Sequence, residues 1–149
     1  SVLEFVLAST EVMLVITPEP TSVTDAYALL KVLNAREEFH PERTSVKMIA
    51  NRISSQEEGT NLYNKMKLVS DRFLKMELNY LGGIPQDAAV SKAIMQQKPY
   101  SILYPNSPSS KAISCIASQL CDKTVPRSAP RGIAGFFGSL LHRMNSKAE

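Results

Sequence analysis

The sequence predicts an α/β fold in which a mostly parallel sheet carries helices on both of its faces. Short apolar segments of strand length alternate along the chain with amphipathic segments of helix length. Connections as long as these helices are crossovers, which join parallel strands. The chain has 149 residues and 44% hydrophobic content. This size and composition favour a single globular domain.

Three segments are predicted to be strands. Residues 12–17 form a continuous β-branched and apolar run, which is typical of a strand covered on both faces. The second and third strands are predicted at residues 45–51 and 77–84. A further short segment, residues 100–104, is predicted to be extended.

Four segments show apolar side chains at helical spacing. The first helix is predicted to begin at Thr21 or Ser22, either of which can be its N-cap, with Asp25 near the end of its first turn. It is predicted to end at Glu38. The other helices are predicted at residues 59–74, 87–97 and 107–123. The predicted buried stripe of the helix at residues 59–74 consists of Leu62, Met66, Val69 and Phe73.

Positive charge is concentrated at the end of the chain. Residues 1–122 hold 12 basic and 13 acidic residues, a net charge of −1, whereas residues 123–149 hold five basic and one acidic, a net charge of +4. A basic tail on a neutral body indicates attraction to an anionic membrane or to nucleic acid. Within the tail, residues 123–131 have the composition of a linker and residues 132–145 that of an amphipathic helix. The apolar side chains of that helix are Ile133, Phe136, Phe137, Leu140, Leu141 and Met144.

Two interpretations of the tail helix are open, because it can lie in a membrane interface or dock on the body of the protein. The linker, the basic flanks and the paired phenylalanines favour the membrane. Binding to the phosphates of a nucleic acid requires positive charge and gains little from a large apolar stripe, so nucleic acid is not an expected partner. No apolar run approaches the ~20 residues that cross a bilayer, and the sequence does not begin with a basic region followed by a hydrophobic signal core. We therefore expect a cytoplasmic protein, peripheral to the inner face of the cell membrane.

The cysteines and histidines do not form a metal-binding pattern. Cys115 and Cys121 are six residues apart in a predicted helix, which fits neither a CxxC motif nor a metal knuckle. His40 and His142 are isolated. We expect two reduced, partly buried thiols and no metal site.

The loops after the strands are where a doubly wound sheet binds ligands. The loop TPEPTS holds Pro18 and Glu19, and its two prolines stiffen the approach to the next helix. Such a rigid, capped joint is either a wall of a site or a plain turn.

The second and third strands end in residues that have two interpretations each. Asn51, followed by Arg52, is either a turn former or a group that pairs with a planar heterocycle. Pro85 and Asp87 form either a turn whose Asp is the N-cap of the next helix, or a backbone edge shaped for a base.

Four segments taken together resemble one protein family: TPEPTSVTDAYALLK, IANRISSQEEG, DRFLKMELNYLGGIPQDAAVSKAIMQQKPY and LYPNSPSSKAI. They resemble the carboxyl-terminal half of the MinD/ParA-type deviant Walker ATPases, which have a P-loop NTPase fold. Within that family the resemblance is to the flagellar number regulator FlhG, also called YlxH or FleN, and it covers roughly residues 1–122. It implies an ATP-dependent, dimerising switch that helps to set the number and placement of flagella. ATP or ADP with Mg²⁺ would be its ligands, flagellar assembly proteins are implied partners, and the tail is similar to this family's membrane-targeting helix.

The resemblance also implies roles for the residues of the loops. Asn51 would contact the adenine base, and Arg52 would lie beside it. The Pro-x-Asp turn would line the base pocket through Pro85 and Asp87. The loop of Pro18 and Glu19 would lie near the nucleotide and the dimer face.

The chain departs from the family pattern on the phosphate side. It contains no GKGGxGK or GxxxxGK[ST] segment, which holds the phosphates, and the Asp residues that handle Mg²⁺ and water are not found. We therefore expect that this chain starts past the last catalytic element, has no catalytic residues and does not hydrolyse ATP alone. Its exposed sheet edge would pair with the missing amino-terminal half or with a second copy. The alternative is a non-enzymatic interaction module that binds a flagellar or membrane partner.

Overall fold

The computed structural model describes residues 2–74 and 76–121, and the compact unit presented below ends at Ser118, within the last helix. The predicted linker and tail helix lie outside the described residues. The elements, in chain order, are α1 (Val2–Ala8), β1 (Glu11–Ile16), α2 (Pro20–Asn34), β2 (Ser45–Ile53), α3 (Gln56–Val69), a π-helical turn (Ser70–Leu74), β3 (Leu78–Pro85), α4 (Ala88–Met95), α5 (Tyr100–Leu103) and α6 (Pro108–Cys121).

The three strands form one sheet in the order β1-β2-β3. All of its pairings are parallel, as the sequence predicts. A crossover helix joins β1 to β2 and another joins β2 to β3, so all three carboxyl ends meet at one edge of the sheet. We call this edge the carboxyl edge. The register pairs Ile16 of β1 with Ala50 of β2, and Asn51 of β2 with Ile84 of β3.

One face of the sheet holds the main hydrophobic core. Side chains of β1 and β2 such as Ile16 and Met48 are fully or almost fully buried there, together with Leu30 and Leu33 of α2 and Met66 of α3. On the other face, α6 passes over β3, where Ile116 lies beside Gly82. Gly82 has φ +145°, a conformation that an L side chain rarely adopts. The sheet therefore has helices on both faces.

The first strand is not covered on both faces, contrary to the prediction. Leu14 and Ile16 point into the core, whereas the side chains that alternate with them, Met13 and Val15, are 56% and 54% exposed. β1 is the edge strand of the described sheet. On the face opposite the main core, α6 contacts β3, which lies at the other end of the strand order. The run of apolar residues is thus half buried in the described part of the chain.

The start of α2 also differs from the prediction. Its N-cap is Glu19, and Pro20 occupies the first helical turn, where its fixed φ is favourable and its missing N–H costs nothing. Ser22 is not the cap, because its Oγ instead accepts the N–H of Thr17 at 3.0 Å. The helix ends at Asn34, since the following Ala35 is its C-cap.

The helix α3 begins three residues earlier than predicted and its last turn changes register. Ser55 is the N-cap, and its Oγ accepts the N–H of Glu58 at 3.1 Å. After Val69 the helix widens into the π-helical turn, which moves the inward position by one residue. Leu74 is therefore buried, at 3% exposure, whereas the predicted core residue Phe73 is 62% exposed.

Two further expectations are corrected at the end of the described chain. The segment at residues 100–104 forms the short helix α5 rather than an extended strand, because the carbonyl of Pro99 accepts the N–H groups of Ile102 and Leu103, each at 3.1 Å. These local bonds satisfy the backbone without a neighbouring strand. Cys115 and Cys121 are exposed rather than partly buried, since they lie away from the side of α6 that buries Ile116.

Candidate functional site

The carboxyl edge brings together the loops that the sequence singles out. The end of β2 continues its pairing past Asn51, so that Ile53 is opposite Pro85 and the N–H of Gln86 donates to the carbonyl of Ile53 at 2.9 Å. Asn51, Arg52 and the Pro85–Asp87 loop therefore lie on neighbouring strands at the same edge. The predicted base-contacting residues are adjacent in the structure.

A bulge at Arg52 shapes the end of β2. The register shifts between Asn51 and Ile53, and Arg52 takes φ +57°, in the left-handed region that is unfavourable for a side chain with a Cβ. The Oδ1 atom of Asn51 accepts the N–H of Arg52 at 3.0 Å and supports this conformation. Asn51 thus acts as a turn former, and its Nδ2 group keeps two donors for an acceptor atom of a ligand.

An ion pair joins the loop after β1 to the end of β2. The Nη1 atom of Arg52 lies 3.4 Å from the Oε1 atom of Glu19, and both side chains are about half exposed. The pKa of Glu19 is lowered by a hydrogen bond from the side chain of Thr17, by its own backbone N–H and by the charge of Arg52. Glu19 is therefore ionised at neutral pH and faces the bulge of β2.

Hydrogen bonds from α4 and α6 hold the Pro85–Asp87 loop in place. The Oδ1 atom of Asp87 accepts the N–H of Ala89 at 2.9 Å, which confirms Asp87 as the N-cap of α4. Its Oδ2 atom accepts the N–H of Ser109 at 3.1 Å, and the Oγ atom of Ser109 donates to the carbonyl of Pro85 at 3.0 Å. The N–H groups of Ala89 and Ser109 lower the pKa of Asp87. The carboxylate is thus ionised, and each of its oxygens accepts a backbone N–H.

A separate open groove of about 360 Å³ lies between the loop after β1 and the first turns of α3. Of the residues predicted for the site, only Pro18 is in its wall. Two carboxylates, those of Glu57 and Glu58, face it, and Lys65 is its single cationic wall residue. The excess of negative charge makes the groove unsuited to a polyphosphate. The groove is lined by Pro18, Ser55, Glu57, Glu58, Asn61, Leu62 and Lys65.

Sequence reasoning missed two contributors to this edge. The pattern SQEE contains a Ser with a Glu three residues later, a capping-box signal that would have placed the start of α3 at Ser55. Ser109 carries no comparable signal, because the run SPSS favours a turn without showing which serine becomes buried. Its contacts to Pro85 and Asp87 depend on how α6 packs.

The residues predicted for the membrane lie outside the described part of the chain. They are Ile133, Phe136, Phe137, Leu140, Leu141 and Met144. Among the helices at residues 2–74 and 76–121, none combines the length and the hydropathy that a bilayer span requires.

Two curated proteins are similar to this chain over nearly all of its length, although no protein-family model matches it. The antiactivator FleN of Pseudomonas aeruginosa is 42% identical over 137 residues, which are 92% of this chain and 47% of that protein. The flagellum site-determining protein YlxH of Helicobacter pylori is 31% identical over 141 residues, 92% of this chain and 46% of that protein. The chain thus spans about half the length of the curated relatives that it matches.

Solved structures identify the fold. The MinD cell division protein of Aquifex aeolicus matches with a TM-score of 0.58 and 22% identity, over 83% of this chain and 48% of that one. MinD of Pyrococcus horikoshii, solved with Mg-ADP, matches with a TM-score of 0.56 and 22% identity, over 78% of this chain and 43% of that one. A ParA family ATPase of Chlorobium tepidum gives a TM-score of 0.55 at 22% identity, over 80% and 43% of the two chains. These matches show that the chain has the MinD/ParA fold, and the two curated relatives show that it belongs to the FlhG family of FleN and YlxH.

Proposed function

We propose that this chain supplies the base-binding part of an ATP site in an FlhG-type regulator of flagellar number and placement. The observation that carries the proposal is the adjacency of Asn51, Arg52 and the Pro85–Asp87 loop at the carboxyl edge, which is where parallel α/β sheets bind ligands. A planar base can lie against this edge, with donors from the Nδ2 group of Asn51 and from the guanidinium of Arg52. The carboxylate of Glu19, in the loop after β1, forms an ion pair with that guanidinium.

The phosphate side of the site is not formed by these residues. The 149-residue sequence contains no glycine-rich lysine loop, and the groove next to Pro18 presents two carboxylates. Phosphoryl transfer depends on cationic and backbone N–H groups around the phosphates, so the chain is not expected to hydrolyse ATP alone. Mg²⁺ and the triphosphate would be held by groups from a further part of the protein or from a second copy. The exposed Met13 and Val15 on the edge strand β1 support such a partner.

Titration of the 149-residue chain with adenosine, AMP and Mg-ATP, followed by NMR amide shifts, tests this division of the site. Contacts to the ten non-hydrogen atoms of adenine alone support a Kd on the order of 1 mM. We expect similar affinities for all three ligands, because the phosphates add no attraction. Mg-ATP binding at least tenfold tighter than AMP binding would show that the chain does hold the phosphates.

A matched pair of variants locates the base. Asn51→Ala should weaken AMP binding at least threefold, whereas Asn61→Ala should leave it unchanged, because Asn61 lines only the neighbouring groove. The opposite result would place the base in that groove. Absence of binding by the wild-type chain would favour the alternative function, a non-enzymatic module that binds a flagellar or membrane partner.

The second part of the proposal concerns the tail, which would attach the protein to the inner face of the cell membrane. Its support is the sequence: six large apolar residues on one stripe of residues 132–145 and a net charge of +4 over residues 123–149. A peptide of residues 127–149 should be unstructured in water and helical on anionic vesicles, as measured by circular dichroism. Equal helicity in both media would contradict the proposal.

Co-sedimentation of the full chain across a salt series separates lipid from nucleic acid. Binding to anionic vesicles should keep a salt-resistant part, since the apolar stripe does not depend on charge. Binding to DNA would instead fall steeply with salt. DNA binding stronger than vesicle binding at 200 mM salt would reject the membrane role.

A further inference from the structure

Ser109 connects the first turn of α6 to the loop that follows β3. It is fully buried, and it donates two hydrogen bonds to this loop. Its Oγ atom donates to the carbonyl of Pro85 at 3.0 Å, and its N–H donates to the Oδ2 atom of Asp87 at 3.1 Å. One residue therefore fixes both ends of the Pro-Gln-Asp turn.

The carboxylate of Asp87 is shared between two helices. Its Oδ1 atom accepts the N–H of Ala89 in α4, and its Oδ2 atom accepts the N–H of Ser109 in α6. Each bond joins an ionised acceptor to a backbone donor at a helix start, an arrangement stronger than a neutral hydrogen bond. The two bonds fix the orientation of the carboxylate, so Asp87 cannot turn towards a base without releasing one of these two helices.

We infer that Ser109 is a positioning residue for base selectivity, and that Asp87 acts by fixing the Pro85–Asp87 loop rather than by contacting the base with its carboxylate. This inference rests on the proposed function, because it assumes that the base lies against the carboxyl edge. In this arrangement the base meets the backbone of the turn, whose shape is set from behind by Ser109. A shift of the turn changes which atoms of a purine it can pair with, so selectivity depends on a residue that does not touch the ligand.

The first experiment compares the affinities of the full chain for AMP and GMP, measured by NMR titration. The wild type should prefer AMP, and Ser109→Ala should lower the ratio of the two affinities about threefold to tenfold, as expected for the loss of one hydrogen bond. Ser118→Ala is the matched control on the same helix. It removes a hydrogen bond of the same length, from Oγ to the carbonyl of Ser114 at 3.0 Å, at an exposed position. The control should keep the wild-type ratio.

The second experiment uses the wild type and does not depend on whether the variant folds. Hydrogen exchange at the amides of Ala89 and Ser109 is measured with and without saturating AMP. Both amides should stay protected in the complex, because the carboxylate of Asp87 keeps them as donors. Loss of protection at either amide on AMP binding would mean that Asp87 turns to the base, which overturns the inference.

The outcomes separate the inference from the proposed function. If the wild type binds AMP and Ser109→Ala is folded but keeps the AMP preference, the inference fails and the proposed function stands. If the wild type binds neither nucleotide, both fail together. A lower preference in Ser109→Ala, with both amides protected in the wild-type complex, is the result that supports the inference.

Discussion

Arg52 and Glu19 form an ion pair of 3.4 Å although they belong to different strand ends. Arg52 reaches Glu19 from a backbone position with φ +57°, so the pair depends on the bulge at the end of β2. The contact links the loop after β1, which the sequence shows only as a rigid turn, to the predicted base-contacting residues. It makes that loop part of the candidate site.

Glycine at position 52 should be better tolerated than alanine. Arg52→Gly and Arg52→Ala lose the same ion pair, but only alanine keeps a Cβ in the left-handed region. We expect the glycine variant to be more stable than the alanine variant by about 1 kcal/mol in free energy of unfolding, measured by urea denaturation. An alanine variant as stable as the glycine variant would show that the bulge is not strained.

The contribution of Asp87 to stability should depend on pH. Its pKa in the folded protein is below the ordinary value of 3.8, because the N–H groups of Ala89 and Ser109 stabilise the carboxylate. Its stabilising effect is therefore complete above pH 3.8 and is lost as the pH falls through the folded pKa. Urea denaturation at a series of pH values should show the wild type more stable than Asp87→Asn at pH 7, with a gap that shrinks below pH 3.8. A gap that does not change with pH would argue against these hydrogen bonds.

Removing the N-cap of α3 should destabilise the chain. Ser55→Ala leaves the N–H of Glu58 without its side-chain acceptor, at an expected cost of about 1 kcal/mol. Ser118→Ala, exposed on α6, should cost less than about 0.5 kcal/mol. Both free energies of unfolding come from the same urea denaturation series. Similar values for the two variants would mean that the capping bond contributes little.

The π-helical turn makes a prediction that separates two neighbouring residues. Leu74→Ala should cost about 2–4 kcal/mol because Leu74 is in the core, whereas Phe73→Ala should cost less than about 1 kcal/mol because its ring is exposed. Thermal or urea denaturation of the two variants measures which substitution destabilises the protein more. A larger loss of stability for Phe73→Ala than for Leu74→Ala would indicate the regular α-helical register that the sequence predicts.

The sequence predicted the features that depend on periodicity and missed those that depend on packing. The strands, their parallel direction and the cap at Asp87 follow from apolar runs, connection lengths and local preferences, and the structure confirms them. Phe73 was misplaced because one π-helical turn shifts the inward face, which no spacing of apolar residues reveals. Residues 100–104 were expected to be extended because strand propensity does not show whether a neighbouring strand exists.

At the candidate site, residue types were easier to predict than partners. Asn51 and Pro85 were placed at the correct edge because strand ends in a parallel sheet meet. The pairing of Arg52 with Glu19 and of Asp87 with Ser109 joins residues far apart in sequence, and a single sequence does not contain that information. Spacing alone does not predict the roles of these residues, and the roles proposed for them come from the resemblance to the family.

The order of the strands in the sheet has a consequence for folding kinetics. Because the order β1-β2-β3 repeats the order in the chain, each pairing closes over only one crossover helix, and no strand must be inserted between two that are already paired. Loop-closure entropy therefore stays low at each step, and the sheet can form progressively while the chain emerges from the ribosome. Within residues 2–74 and 76–121, β1 pairs with β2 alone, so a further strand could be added at its other edge without breaking a hydrogen bond of this sheet.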